Sequence, residues 1–146
     1  MKSENIINTF EKLIYWSGER YKLAKEYGTN QKLYIAEIHA IELIGKYSGI
    51  LQRDLCEMMG ITKGRMSIII SNLCKKGLVE KTDDLINRKE LPLRLTSQGH
   101  IVFQFHDTQE QVRMDAINKV LNRCSDEEIE KFTGILEDVL NILQEK

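Results

Sequence analysis

The chain has 146 residues, 42% of them hydrophobic and 29% charged, with one proline and nine glycines. That size suits one domain with its own apolar core, and the composition excludes a disordered or collagen-like chain and a multidomain enzyme. The formal net charge of −1 is segregated: Ile61 to Thr96 carries eight Lys/Arg against four acids, net +4, while Ile101 to the end carries five against ten, net −5. The middle third can meet a polyanion that the last third would repel.

Ile6, Phe10, Leu13, Ile14 and Tyr21 recur at helical spacing, and the pattern stops at Gly28-Thr29-Asn30. A first helix is therefore predicted from about Ser3 to Tyr27, closed by a C-terminal glycine. Ile38, Ile41 and Ile44 place a second helix that ends at Ser48-Gly49. Leu51, Leu55 and a methionine, Met58 or Met59, give a short third helix that stops at Gly60. Thr62, two residues on, has the right chemistry to cap a fourth helix, whose apolar stripe is Met66, Ile69, Ile70 and Leu73 and whose end is Gly77. Two helices joined by a tight glycine-containing turn have helix-turn-helix form.

The period then changes to two. Leu78 to Lys81 reads as a strand, Thr82 to Lys89 as a polar loop, and Leu91, Leu93 and Leu95 as a return strand that Pro92 confines to an edge. A basic-tipped hairpin directly behind a helix-turn-helix is a winged helix. Thr96 can cap a long fifth helix through Ile101, Phe105, Val112, Ala116 and Val120. Ser125 with Glu128 three residues later forms a capping box for a terminal helix. Ile129, Phe132, Ile135, Leu136, Val139, Leu140, Ile142 and Leu143 then give that helix a broad apolar face. Such a face, with the stripe of the first helix, predicts a dimerisation surface built from both chain ends.

The fold class expected is mainly α with a small β-hairpin wing (α+β). Residues 33–99 form the winged helix-turn-helix, and 1–28 and 100–146 the dimerisation helices of a single-domain chain. No apolar run approaches the ~18 residues of a membrane span, and the opening MKSENIINTF lacks the layout of a signal peptide, so a cytoplasmic protein without membrane partners is expected. Cys56, Cys74 and Cys124 make neither an even disulfide set nor a CxxC pair, in keeping with a reducing compartment. No GxSxG, HExxH or glycine-rich phosphate loop is present, so neither catalysis nor a cofactor is expected.

The stretch LQRDLCEMMGITKGRMSIIISNLCKKGLVEK, followed by DDLINRKELPLRLTSQG, resembles the winged helix-turn-helix of MarR-family transcriptional regulators. The similarity is close over Leu33 to Gly99, and the flanking helices fit the family's layout. It implies an effector-responsive repressor acting as a homodimer on double-stranded DNA, with the fourth helix in the major groove and the wing in the minor groove. It also implies a small-molecule effector pocket near the junction of the DNA-binding and dimerisation parts. Asn87-Arg88-Lys89 departs from the family's usual Asp-Arg-Arg at the wing, and Ile68 is apolar where many relatives carry a polar or basic residue. Rival readings are a zinc-responsive regulator of the same fold and a winged-helix module that binds only proteins.

At ~100° per residue, Gly64, Ile68, Ser71 and Lys75 lie opposite the apolar stripe, with Arg65 and Ser67 flanking them. Thr62 and Lys63 lie at the first turn, where free backbone N–H groups favour phosphate. Ser67, Ser71 and the methyls of Ile68 suit base edges, and Arg88 and Lys89 suit a wing that reaches a narrow minor groove. For metal, His106 and Glu110 share a helix face and His39 can approach from the second helix, although a structural histidine is the simpler reading. For an effector, the candidates are Tyr15, Trp16 and Tyr34, which are equally suited to core or interface. Cys74, beside Lys75 and Lys76, is a candidate for a lowered thiol pKa.

Overall fold

The computed structural model describes residues 2–82 and 91–144. Its elements run α1 (Lys2–Lys22), β1 (Lys25–Glu26), β2 (Lys32–Leu33), α2 (Ile35–Lys46), α3 (Gln52–Met59) and α4 (Lys63–Lys75). They continue with β3 (Val79–Lys81), β4 (Leu93–Leu95), α5 (Ser97–Leu121) and α6 (Asp126–Gln144). Two compact units divide the chain, Met1–Asp107 and Thr108–Lys146, and the division falls inside α5.

The core of the first unit is assembled from the faces that the periodicities mark. Ile38, Ile41 and Ile44 of α2, Leu55 of α3, and Met66, Ile69, Ile70 and Leu73 of α4 are buried together with Leu78, Val79, Leu93, Leu95 and Val102. Each fully buried Leu or Ile contributes about 1.5–3 kcal/mol relative to exposure, so this cluster is what holds α2, α3, α4 and the hairpin strands together. Gly60, in the left-handed region at φ 64°, ends α3. Thr62 then accepts the Arg65 N–H at 3.3 Å and starts α4, so the two helices meet across the tight turn that the glycine and the cap specify.

β3 and β4 pair antiparallel with Val79 opposite Leu95 and Lys81 opposite Leu93. On its other side Leu93 bridges to Ile50: the Leu93 N–H donates to the Ile50 carbonyl at 2.9 Å, and the Gly49 N–H donates to the Leu93 carbonyl at 2.9 Å. Thr96 fastens the next turn. Its N–H donates to the Leu78 carbonyl, its hydroxyl donates to the Gly77 carbonyl at 2.6 Å, and its oxygen accepts the Gly99 N–H at 3.1 Å as the cap of α5.

One boundary differs from the sequence expectation. The first helix stops at Lys22, not Tyr27, because Lys25 and Glu26 pair antiparallel with Leu33 and Lys32. Gly28 serves the turn of this small hairpin and does not close a helix: it sits at φ 71°, and a Cβ there would lie 3.1 Å from that of Phe105.

In the second unit, the turn between α5 and α6 is closed by the expected capping box. The Ser125 N–H donates to Glu128 at 2.8 Å, and the Glu128 N–H donates to the Ser125 hydroxyl at 3.3 Å. None of the α6 residues is buried.

Candidate nucleic-acid interface

The buried stripe of α4 leaves one continuous exposed face. Thr62, Lys63, Gly64, Arg65, Ser67, Ile68, Ser71 and Lys75 are all exposed, as their angular positions require. Ile68 is 64% exposed, an unusual placement for an isoleucine in the middle of a helix whose opposite side is fully buried. Asn72, exposed beside Ser71, joins the same surface and was not singled out from the sequence. Arg88 and Lys89, expected at the wing tip with Asn87, lie outside the described residues.

A second residue that sequence reasoning passed over is Gln52, the first of α3. Its Nε2 donates to the Ser67 hydroxyl at 2.8 Å, which ties the start of α3 to the exposed face of α4. No spacing rule could have found this pair, because the contact depends on the angle at which α3 and α4 cross.

The far end of α4 is anchored differently. Lys76, its C-cap, sends its ammonium into the first turn of α2, where Glu37 is buried at 4% exposure. The Lys76 carbonyl accepts a 2.6 Å hydrogen bond from the Gln31 amide. The Glu37 carboxylate also accepts the Tyr34 N–H at 2.9 Å, and Lys76 donates to the Lys32 carbonyl at 3.0 Å. The position of the exposed α4 face is thus set at one end by Gly60 and Thr62 and at the other by a charged network.

The metal and effector candidates do not converge. The His106 Nε2 lies 3.6 Å from a Glu42 oxygen and its ring meets Tyr27 edge-on, while His39 meets Tyr21 in the same manner. Glu110 pairs with Arg113 one turn along α5. Among the described residues no group of three His, Cys, Asp or Glu side chains is placed to hold a metal ion. Tyr15 is exposed over a shallow groove with Asn8, Glu11 and Lys12, all from α1. Trp16 carries Arg20 over its ring at 4.8 Å, and Tyr34 supplies the N-cap of α2.

Cys74 corrects an expectation. Its neighbours in sequence suggested a lowered thiol pKa, but burial pushes the thiol up, and Lys81 offsets only part of that rise. Neighbouring lysines in sequence do not help a helical thiol when they project from other sides of the helix.

A helix-turn-helix whose second helix exposes a polar and basic face, followed by a two-stranded hairpin, defines the winged helix-turn-helix class. A model of the MarR family matches residues 33–85. The HTH-type transcriptional regulator YhjH of Bacillus subtilis, itself uncharacterized, is 30% identical over 128 residues, covering 88% of this chain and 70% of that protein. The chain belongs to the MarR family of transcriptional regulators. Streptococcus pneumoniae FabT, in a crystal structure with DNA, superposes with a TM-score of 0.70 at 23% identity, covering 97% of each chain. Lactococcus lactis ZitR, a zinc-responsive member, superposes with a TM-score of 0.78 at 16% identity, covering 97% of this chain and 99% of its own. These two likenesses concern the fold. No helix among the described residues is long and apolar enough to cross a membrane.

Proposed function

We propose that this chain is a cytoplasmic repressor that binds double-stranded DNA as a homodimer and is released by a small-molecule effector. It acts by binding and not by catalysis. The observation that carries this reading is the exposed face of α4: polar, basic and small residues on one side of a helix whose other side is core. Residues 33–99 form the DNA-binding part, and the first helix with residues 100–146 the dimerisation part. Lys63, Arg65 and Lys75 supply phosphate contacts, together with the N–H groups at the start of α4. Ser67, Ile68 and Ser71 face base edges in the major groove, and Gly64 lets the backbone approach closely. Arg88 and Lys89 supply the wing's charge to the minor groove. A two-fold dimer calls for an inverted repeat with half-sites about 10 bp apart, or a multiple of that. FabT, a protein of the same fold, has been crystallised with DNA, which supports the assignment by analogy.

The test is selection of bound genomic fragments followed by anisotropy titrations of the selected duplex and a scrambled one at two salt concentrations. Preference for the selected duplex with a steep salt slope is expected, because neutralising several phosphates releases counterions. Equal binding to both duplexes, or no binding at low salt, overturns the proposal.

A further inference from the structure

Ser67 sits on the exposed face of α4, and its oxygen accepts from the Gln52 amide at 2.8 Å across a 15-residue separation. A serine hydroxyl has one donor and two acceptor sites, and it can usually turn either to a partner. Here one acceptor site is occupied, so the O–H is directed away from the amide nitrogen. Among the described residues that proton has no acceptor within the protein. The Gln52 nitrogen that makes this contact has no lone pair to draw the proton back, so the proton and the one remaining lone pair of the hydroxyl face outward.

Resting on the reading of α4 as the major-groove helix, we propose that Gln52 is a specificity-determining positioning residue. By occupying one lone pair of Ser67 and holding its proton toward the groove, it makes each subunit favour a base that offers an acceptor at one position of the half-site. Guanine O6 or N7, adenine N7 and thymine O4 are such acceptors, whereas cytosine presents only its N4 donor there. Gln52 thereby contributes to sequence choice from outside α4, through another residue's hydroxyl.

The proposal distinguishes Gln52 from a simple phosphate contact or helix tie. Gln52→Ala frees the hydroxyl to turn and should flatten the preference at one base pair per half-site. Gln52→Glu has nearly the same shape but only accepts, so it draws the Ser67 proton inward and leaves lone pairs facing the groove. That variant should shift the preference at the same base pair toward cytosine, even though its added negative charge weakens binding to every duplex.

The experiment measures wild type, Gln52→Ala, Gln52→Glu, Ser67→Ala and the double variant Gln52→Ala/Ser67→Ala against the selected operator. Single-base-pair substitutions across one half-site and a scrambled duplex complete the set, and thermal melts confirm folding. Discrimination at one base pair should fall by up to about 5- to 150-fold in Gln52→Ala and in Ser67→Ala, the range spanned by a single mismatched base pair. The double variant should lose no more than either single one, because both act through one hydroxyl. An equal fall for operator and scrambled duplex in Gln52→Ala, or an unchanged base profile in Gln52→Glu, overturns the role given to Gln52. If wild type itself fails to prefer operator over scrambled duplex, the broader reading of the protein as a sequence-specific repressor falls, and this inference with it.

Discussion

The Lys76 ammonium donates to both oxygens of Glu37, at 2.7 and 2.9 Å, joining the C-cap of α4 to the first turn of α2. The two partners are unequally placed, with the Glu37 side chain 5% exposed and that of Lys76 27%. Removing either one is therefore not equivalent. Lys76→Met strands a buried carboxylate and should destabilise by about 3–5 kcal/mol, the usual cost of breaking a buried pair from one side. Glu37→Gln leaves an ammonium that can turn toward water and an amide oxygen that can still accept the Tyr34 N–H, so about 1–3 kcal/mol is expected. The double variant should recover part of the Lys76→Met loss. Urea denaturation of the three variants measures this order.

Gly99 and Gly64 should respond to alanine in opposite ways. A Cβ at Gly99 would come 2.0 Å from the Leu78 carbonyl oxygen, which belongs to the backbone and is already held by the Thr96 N–H. Gly99→Ala should therefore cost at least about 1–3 kcal/mol and loosen α5 from the hairpin. Gly64 has nothing within 4 Å and lies in the first turn of α4, where alanine should stabilise the free protein by up to about 1 kcal/mol. The same methyl occupies space that the proposed close approach to DNA requires. A higher melting temperature with weaker operator binding is the expected combination for Gly64→Ala, measured by thermal melts and anisotropy.

Glu42 gives the first unit an acid-sensitive contact. Burial is the largest single influence and raises its pKa, but the hydrogen bond and charge of Lys46, together with His106, outweigh it and leave the carboxyl below its ordinary value. A carboxylate with a depressed folded-state pKa contributes stability that is present above its unfolded pKa and lost as pH falls through the folded one. Stability should thus decline on acidification below the usual carboxylate range. Glu42→Gln should show a shallower acid limb in denaturation midpoints measured across that range. Parallel acid limbs for the two proteins would count against this contact.

α1 and α6 carry apolar side chains that their own units leave in water. Ile6, Leu13 and Ile14 on α1, and Phe132, Ile135, Leu136 and Leu140 on α6, are all exposed. The proposed homodimer covers these faces. Leu136→Glu should place an unpaired charge within that contact and convert a sedimenting dimer into monomer or insoluble protein. A well-folded wild-type monomer at micromolar concentration would contradict the assignment.

The parts of the fold legible in the sequence are those with a period or a terminal signal. α4 follows from Met66, Ile69, Ile70 and Leu73 and from Thr62, and the α6 capping box follows from Ser125 and Glu128. β1 and β2 were not legible, because strands of two residues have no period and Gly28 carries the same signal in a hairpin as at a helix end. Gln52 with Ser67, and Glu37 with Lys76, are likewise invisible locally, because each joins residues brought together only by helix crossing. Gly45 misleads in another way. It punctuates nothing in α2, and its meaning is that a Cβ there would lie 2.6 Å from the Phe103 ring. Cys74 shows the same limit for chemistry, since burial, which no neighbour in sequence reports, sets the direction of its titration.

The clamp of Leu93 between Ile50 on one side and Lys81 on the other has a dynamic consequence. Both backbone groups of Leu93 are engaged with the segment that leads into α3, so the base of the wing hairpin cannot hinge without first opening that bridge. Amide exchange at Leu93 should consequently track the cooperative opening of α3 and the hairpin together. A displacement of the segment that leads into α3 must therefore carry the base of the hairpin with it or break both of these hydrogen bonds.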